Sequence, residues 1–307
     1  MAVTEIGELH NTSCAICRTP GNAREICSAR LNSRAMNPST FSARRLPDGI
    51  RARFVRCNTC GLVRADPTLA PEALSDLYGR SGFDYVGQLP CLRQKHARYL
   101  AALTAYGVRK GALLEIGCGN GFFLDEALKQ GFQRVQGVEP SRNAVAVASA
   151  QVQASIVCNV MRPGLFEASY FDVVCMFQTL DHLPDPALVL DECLRVLKPG
   201  GLALCLNHDV DAWTARLLRC RSPIFDIEHT FLYSRRTLTR LFRGHGFIVR
   251  KTGIARDVLT THYLTWLFPF PATLKRPLLS LLHRTWLGRV SLTVPLGNVY
   301  LVAQKPA

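Results

Sequence analysis

From position 111 onward, short apolar runs alternate with stretches in which apolar residues recur every three or four positions. The runs at 112–116, 134–138, 154–158, 171–177 and 201–207 predict strands, and the spacing over 121–130, 142–151 and 186–197 predicts helices. Strands buried on both faces and separated by helices are the pattern of βαβ units, so the expected fold is α/β with a parallel sheet. Further on, the pattern predicts a helix at 234–245, a strand at 247–251 and a last strand at 298–303, with an insertion at 252–297 rich in Leu, Trp, Pro and Arg. Upstream, helices are expected at 71–78 and 91–106. In the second, Leu92, His96, Tyr99, Leu100 and Leu103 repeat at helical spacing. Residues before 66 are weakly periodic and Arg-rich. The expected organisation is a small module over 1–66, a helical linker over 67–110, and a main domain over 111–307 with the 252–297 insertion.

Composition changes this picture little, but charge sharpens it. Apolar residues make up 48% and charged residues 20% of the 307 residues, which excludes extended disorder. The net charge of +14 points first to nucleic acid, a membrane surface or an acidic substrate. Resolved along the chain, residues 1–100 carry 14 basic and 8 acidic groups, 101–205 carry 8 and 10, and 206–307 carry 15 and 5. The middle of the chain is therefore not basic, and the excess sits at the two ends. No apolar run is long enough to span a bilayer and the first residues lack a signal pattern, so a cytoplasmic protein is expected.

The run LLEIGCGNGFFL, 113–124, ends a buried strand in Gly117-x-Gly119-x-Gly121 and enters a helix directly. Glycines allow a tight turn and close approach to a ligand at a helix N-terminus. Glu115 precedes the loop and Glu139 closes the next strand in GVEPS, where an acid can accept both hydroxyls of a ribose. A dinucleotide fingerprint fits less well: Phe122 stands where its third Gly belongs, and Glu115 would repel a pyrophosphate.

These motifs, with FDVVCMFQTLDHLPDP and LRVLKPGGLAL following in order, resemble the class I S-adenosylmethionine-dependent methyltransferases. The resemblance implies a Rossmann-like seven-stranded sheet. It also implies that Glu115, Gly117, Cys118, Gly119, Gly121 and Gln178 border the methionine part of S-adenosylmethionine, that Glu139 holds the ribose, and that Pro140, Asn159 and Val160 meet the adenine. Methyl transfer is an in-line displacement, in which a base is needed only to take the acceptor's proton. His229, in the segment resembling the family's substrate-facing stretch, is the leading candidate. His182, beside Asp181, and His208 are the others, and each has an alternative reading as a pocket-wall or loop residue.

Cys14, Cys17, Cys57 and Cys60 form two Cys-x-x-Cys pairs, the donor set of a structural zinc ribbon. Cys27 is a weaker substitute ligand. Cys118, Cys158, Cys175, Cys193 and Cys205, lying singly in apolar or Gly-rich segments, are expected to be buried free thiols. The Cys-rich segment resembles zinc-binding modules that precede some bacterial methyltransferases of sugars and small metabolites. Over 265–287, Leu274, Leu278, Leu281, Leu282 and Trp286 share a helical face among basic residues. This stretch reads first as a lid packed on the sheet and second as a peripheral membrane contact. With Arg216, Arg219, Arg221, Arg235, Arg236 and Arg240 it suggests an anionic acceptor: a sugar, a nucleotide-sugar, or a glycan or lipid precursor. RNA as acceptor and a non-catalytic scaffold are the alternatives.

Overall fold

The computed structural model describes residues 9–31, 37–41, 49–82, 89–268 and 270–307; the parts of the expected N-terminal module at 1–8, 32–36 and 42–48 lie outside them. The N-terminal region supplies five short strands, β1 (Leu9–His10), β2 (Ala23–Cys27), β3 (Phe54–Cys57), β4 (Val63–Ala65) and β5 (Thr68–Leu69), then helices α1 (Pro71–Gly79) and α2 (Leu89–Ala101). The main sheet follows with β6 (Ala112–Ile116), α3 (Phe122–Lys129), β7 (Arg134–Val138), α4 (Arg142–Ala146), β8 (Ile156–Val157), β9 (Phe171–Phe177), α5 (Pro186–Val196) and β10 (Leu197–His208). After α6 (Trp213–Leu218) come β11 (Phe231–Leu232), α7 (Arg235–Gly244), β12 (Ile248–Thr260), α8 (Thr261–Leu267), α9 (Ala272–Arg284) and β13 (Ser291–Gln304).

Seven strands form the main sheet in the order β12-β13-β10-β9-β6-β7-β8, with β13 antiparallel to both of its neighbours and β10 through β8 mutually parallel. The fold is thus the α/β, Rossmann-like seven-stranded architecture. β6 and β9 are buried at every position, and alternate residues feed two cores. Leu114, Val174 and Cys205 point into one, and Leu113, Val173 and Leu204 into the other. Helix starts follow local chemistry. Asp185 Oδ1 accepts from the N–H groups of Ala187 and Leu188 at the head of α5, and Ser234 and Thr237 form a capping box on α7.

Several elements differ from the sequence pattern. β8 has two residues, because 153–155 wind into a 3-10 turn. α4 stops at Ala146 rather than at 151; beyond it the Ser149 hydroxyl is bonded to Asp125 Oδ1 at 2.8 Å. β12 and β13 are far longer than expected. Their pairing continues to Thr260 opposite Ser291, past the His208–Asn298 pair where β10 ends, so much of the insertion is a hairpin overhanging the sheet. α8 and α9 sit on that overhang. α9 buries none of its residues and packs on α8 and the turn that follows it, so the lid expected over 265–287 meets the sheet through α8 and not through α9.

The N-terminal strands do not stand apart. β2, β3 and β4 make an antiparallel sheet whose fourth member is β11, with Phe231 paired to Arg64 and Leu232 to Val63. Cys14, Cys57, Cys60 and Leu62 pack into the same core as Phe231, Tyr233 and Leu238. Cys27 is disulfide-bonded to Cys220, 193 residues away, which removes it from the candidate metal ligands. Cys118, Cys175, Cys193 and Cys205 are buried free thiols as expected, whereas Cys158 is exposed at the end of the short edge strand. Among the described residues no helix is long and apolar enough to cross a membrane.

Candidate functional site

The turn from β6 into α3 is forced by its glycines. Gly117 has φ +74°, and a Cβ there would lie 2.4 Å from Thr179 Oγ1. On the neighbouring strand, a Cβ on Gly137 would lie 2.5 Å from the Cys118 sulfur, which explains a glycine just before Glu139. Close packing of loop, β7 and β9 brings two acids together. Glu139 accepts from the N–H of Gly119 at 2.9 Å and from the N–H of Ser141 at 2.8 Å. Burial raises its carboxyl above the ordinary range, and these two bonds hold it partly back. Glu115 is 2% exposed, and its Oε2 has no hydrogen-bond partner among the described residues. Burial, reinforced by Glu139, pushes its carboxyl well above the usual range.

Both acids face a cavity of about 530 Å³, a size typical of small-molecule sites. Gly117, Cys118, Gly119, Pro140, Asn159, Val160 and Gln178 line the same cavity, as does each of His182, His208 and His229. Gly121 does not; it lies behind the loop against Val152. Gln178 ends β9 with φ +52°, a strained conformation for a residue with a side chain and one that recurs at functional sites.

The three histidines, drawn from different segments, converge on Asp181. That residue is fully buried, and neither carboxylate oxygen has a hydrogen-bond partner among the described residues. His182 Nε2 lies 3.8 Å from its Oδ1 and His208 Nε2 4.0 Å from its Oδ2. The His229 ring packs 4.7 Å from that of His182 and 4.9 Å from that of His208. Burial alone would raise the Asp181 carboxyl, but the imidazoles of His182, His208 and His229 outweigh it and hold the group below its ordinary value. Hydrogen bonds fix the tautomers. His229 Nδ1 lies 2.8 Å from the Ile224 carbonyl and must donate to it, which leaves Nε2 as the basic nitrogen. The Tyr78 hydroxyl donates to the Glu228 carbonyl at 3.0 Å and so accepts from His182 Nδ1 at 2.9 Å. The backbone carbonyl of Asp181 accepts from the N–H groups of Thr230 and Phe231, tying the His229 segment to the end of β9.

Two lining residues escape a reading of the sequence. Tyr78 belongs to a helix expected to be linker, and His96 to the apolar face of α2, where its ring stacks on Phe177 at 4.1 Å. Only proximity in space marks them. A smaller cavity of about 160 Å³ shares Gln178, His208 and Tyr263 with the first; on its wall the buried Lys95 meets Asp257 at 3.1 Å. Arg216, Arg219, Arg221, Arg235, Arg236 and Arg240 line neither cavity. The expected cluster of cations around the acceptor is therefore absent from these walls.

Away from the cavity, the sulfur atoms of Cys14, Cys17, Cys57 and Cys60 lie within 4.8 Å of one another. The turn after the second pair needs Gly61, at φ +84°, whose N–H bonds the Cys57 carbonyl. Burial opposes ionisation of Cys57, but N–H groups at Cys60 and Thr59 and neighbouring thiols bring it down to about 7.

A family described as a methyltransferase domain matches residues 89–252, more than half of the chain. The chain belongs to this family. With its fold and glycine loop, this domain belongs with the class I S-adenosylmethionine-dependent methyltransferases, the class whose methyl donor is S-adenosylmethionine. It is similar to the ubiquinone biosynthesis O-methyltransferase of Pseudomonas fluorescens, 37% identical over 95 residues, which are 29% of this chain and 40% of that protein. The protein of the same name from Psychrobacter arcticus is 30% identical over 106 residues, 32% and 41% of the two chains. The chain thus spans about two fifths of the length of these curated relatives. A chain from the complex between the Haloferax volcanii Trm112 methyltransferase activator and its methyltransferase superposes with a TM-score of 0.50 at 18% identity, covering 76% of this chain and 98% of that one.

Proposed function

We propose that this methyltransferase transfers a methyl group to a small acceptor whose proton is taken by His229. The observation that carries the reading is the convergence of His182, His208 and His229 on the buried Asp181 in the same cavity as the glycine loop. The unpartnered Glu115 carboxylate suits a ligand bearing an amino group and a sulfonium, and the Glu139 carboxylate, steadied by two N–H groups, suits a ribose diol. Pro140, Asn159 and Val160 take the adenine side, and Gln178 the methionine side. The bound donor supplies an electrophilic methyl group.

The chain's own residues align the acceptor and handle its proton. His229 Nε2 accepts it, and Asp181 stabilises the imidazolium that results, as a buried carboxylate does for a catalytic histidine. His182, held by Tyr78, and His208 complete the polar wall. An anionic portion of a sugar, nucleotide-sugar or lipid-linked acceptor remains at the cavity mouth beside the basic insertion, because the walls carry no arginine cluster. Cys14, Cys17, Cys57 and Cys60 hold a structural Zn²⁺ with no open position, which organises the module over 1–66.

Calorimetric titration with S-adenosylmethionine, followed by a labelled-methyl assay across nucleotide sugars, lipid-linked glycans and RNA, tests this reading. Binding of the donor by the parent but not by Glu139→Ala, with label entering a small acceptor, is the expected result. Donor binding indistinguishable between the two proteins would overturn the site assignment, and label entering only RNA would overturn the acceptor class. Metal analysis of the purified protein should return one zinc per chain.

A further inference from the structure

The insertion on the β12–β13 overhang has two faces with different neighbours. Inward, Tyr263, Trp266 and Leu267 of α8 line the cavity. Outward, α9 presents Leu274 and Leu281, each 55% exposed, and the turn after it presents Trp286, 73% exposed. At 3.6 residues per turn Leu274, Pro277 and Leu281 lie on one stripe, with Lys275 about 100° to one side and Arg284 about 80° to the other. Phe270 and Leu287 extend the apolar surface at its two ends.

Charge in this region has one sign. After Asp257 the remaining 50 residues contain no Asp or Glu, while Lys275, Arg276, Arg284 and Arg289 surround the stripe. An exposed apolar stripe flanked by cations with long aliphatic stems is complementary to a surface that is apolar below and anionic above. With 13 residues, α9 is too short to span a bilayer and suits a position parallel to its surface.

We infer that α9 and the Trp286 turn dock on an anionic phospholipid bilayer, which places the cavity wall formed by α8 next to the membrane. The inference deepens the proposed function by placing the acceptor's source at a lipid surface, but it is measured without turnover. Full-length protein is floated with phosphatidylcholine vesicles, with and without about 30% phosphatidylglycerol. Binding is expected only to the anionic vesicles, falling as salt rises and accompanied by a blue shift in tryptophan emission. Replacing Lys275, Arg276 and Arg284 together by Gln should weaken partitioning on the order of 100-fold. Leu274→Ser with Leu281→Ser should abolish the binding and leave donor titration unchanged, which shows that the variant is folded. Equal partitioning of parent and variants, or no binding to anionic vesicles at low salt, overturns the inference. A concentration-dependent dimer that the Leu274/Leu281 variant dissolves, with no vesicle binding, assigns the patch to a second copy and overturns it equally. Protein that binds the donor but not vesicles sinks this inference alone; protein that binds vesicles but not the donor sinks the proposed function alone.

Discussion

Two buried carboxylates, Glu115 on the wall of the cavity and Asp181 behind the histidines that line it, are in opposite electrostatic states. Glu115 and Asp181 are both almost inaccessible, and both have oxygens without hydrogen-bond partners among the described residues. The Glu115 carboxyl is raised well above its usual range, by burial and then by the nearby Glu139, whereas three imidazoles hold that of Asp181 below its own. Taking a lone carboxylate out of water costs several kcal/mol. At Asp181 the protein supplies the compensating groups itself. At Glu115 it leaves the oxygen without a partner, as the proposed site for a cationic donor requires.

Four substitutions break or sharpen that contrast. His229→Ala should lower kcat by about 10²–10⁴-fold with little change in donor affinity, read by single-turnover kinetics beside calorimetry. Asp181→Asn should lower kcat on the order of 10²-fold. Without the anion the imidazolium is less stable, so the acidic limb of the pH–rate profile should move to lower pH; a limb that stays in place would separate Asp181 from the base. Glu115→Gln should weaken donor binding about 10- to 100-fold and yet raise the melting temperature of the ligand-free protein. The signs follow from its raised carboxyl. Folded protein keeps this proton to higher pH than unfolded chain does, so ligand-free stability falls as pH rises from the ordinary carboxylate range through the raised value. Donor binding favours the ionised form, so affinity falls as pH drops through the same window, and Glu115→Gln should flatten both slopes. Tyr78→Phe removes only the hydroxyl that orients His182, and a loss of about 2- to 10-fold in kcat/KM is expected.

The proposed donor half of the site was legible in the sequence because its chemistry is local. A strand, three glycines and an acid 24 positions after Glu115 are consecutive features of one βαβ unit, and they fold where the pattern predicts them. The proposed acceptor half is assembled from α1, the ends of β9 and β10, and the segment before β11, so only its histidines and Asp181 carry a signal in the sequence. Tyr78 had no local signal. The Cys27–Cys220 pairing is equally non-local, and neither cysteine has a partner at a telling spacing. The overhang of β12 and β13 was hidden for another reason: its strands are partly exposed and lack the continuous apolar run that marks β6 and β9.

β11 completes the sheet begun by the Cys-rich strands, and it starts two residues after His229. Its pairing with β4 makes the geometry of the proposed proton acceptor depend on whether β2, β3 and β4 are folded. Stripping the proposed zinc from Cys14, Cys17, Cys57 and Cys60 should therefore behave as a turnover defect. The donor would still bind to a sheet that does not involve those strands, while catalysis would fade in step with the loss of order around β11.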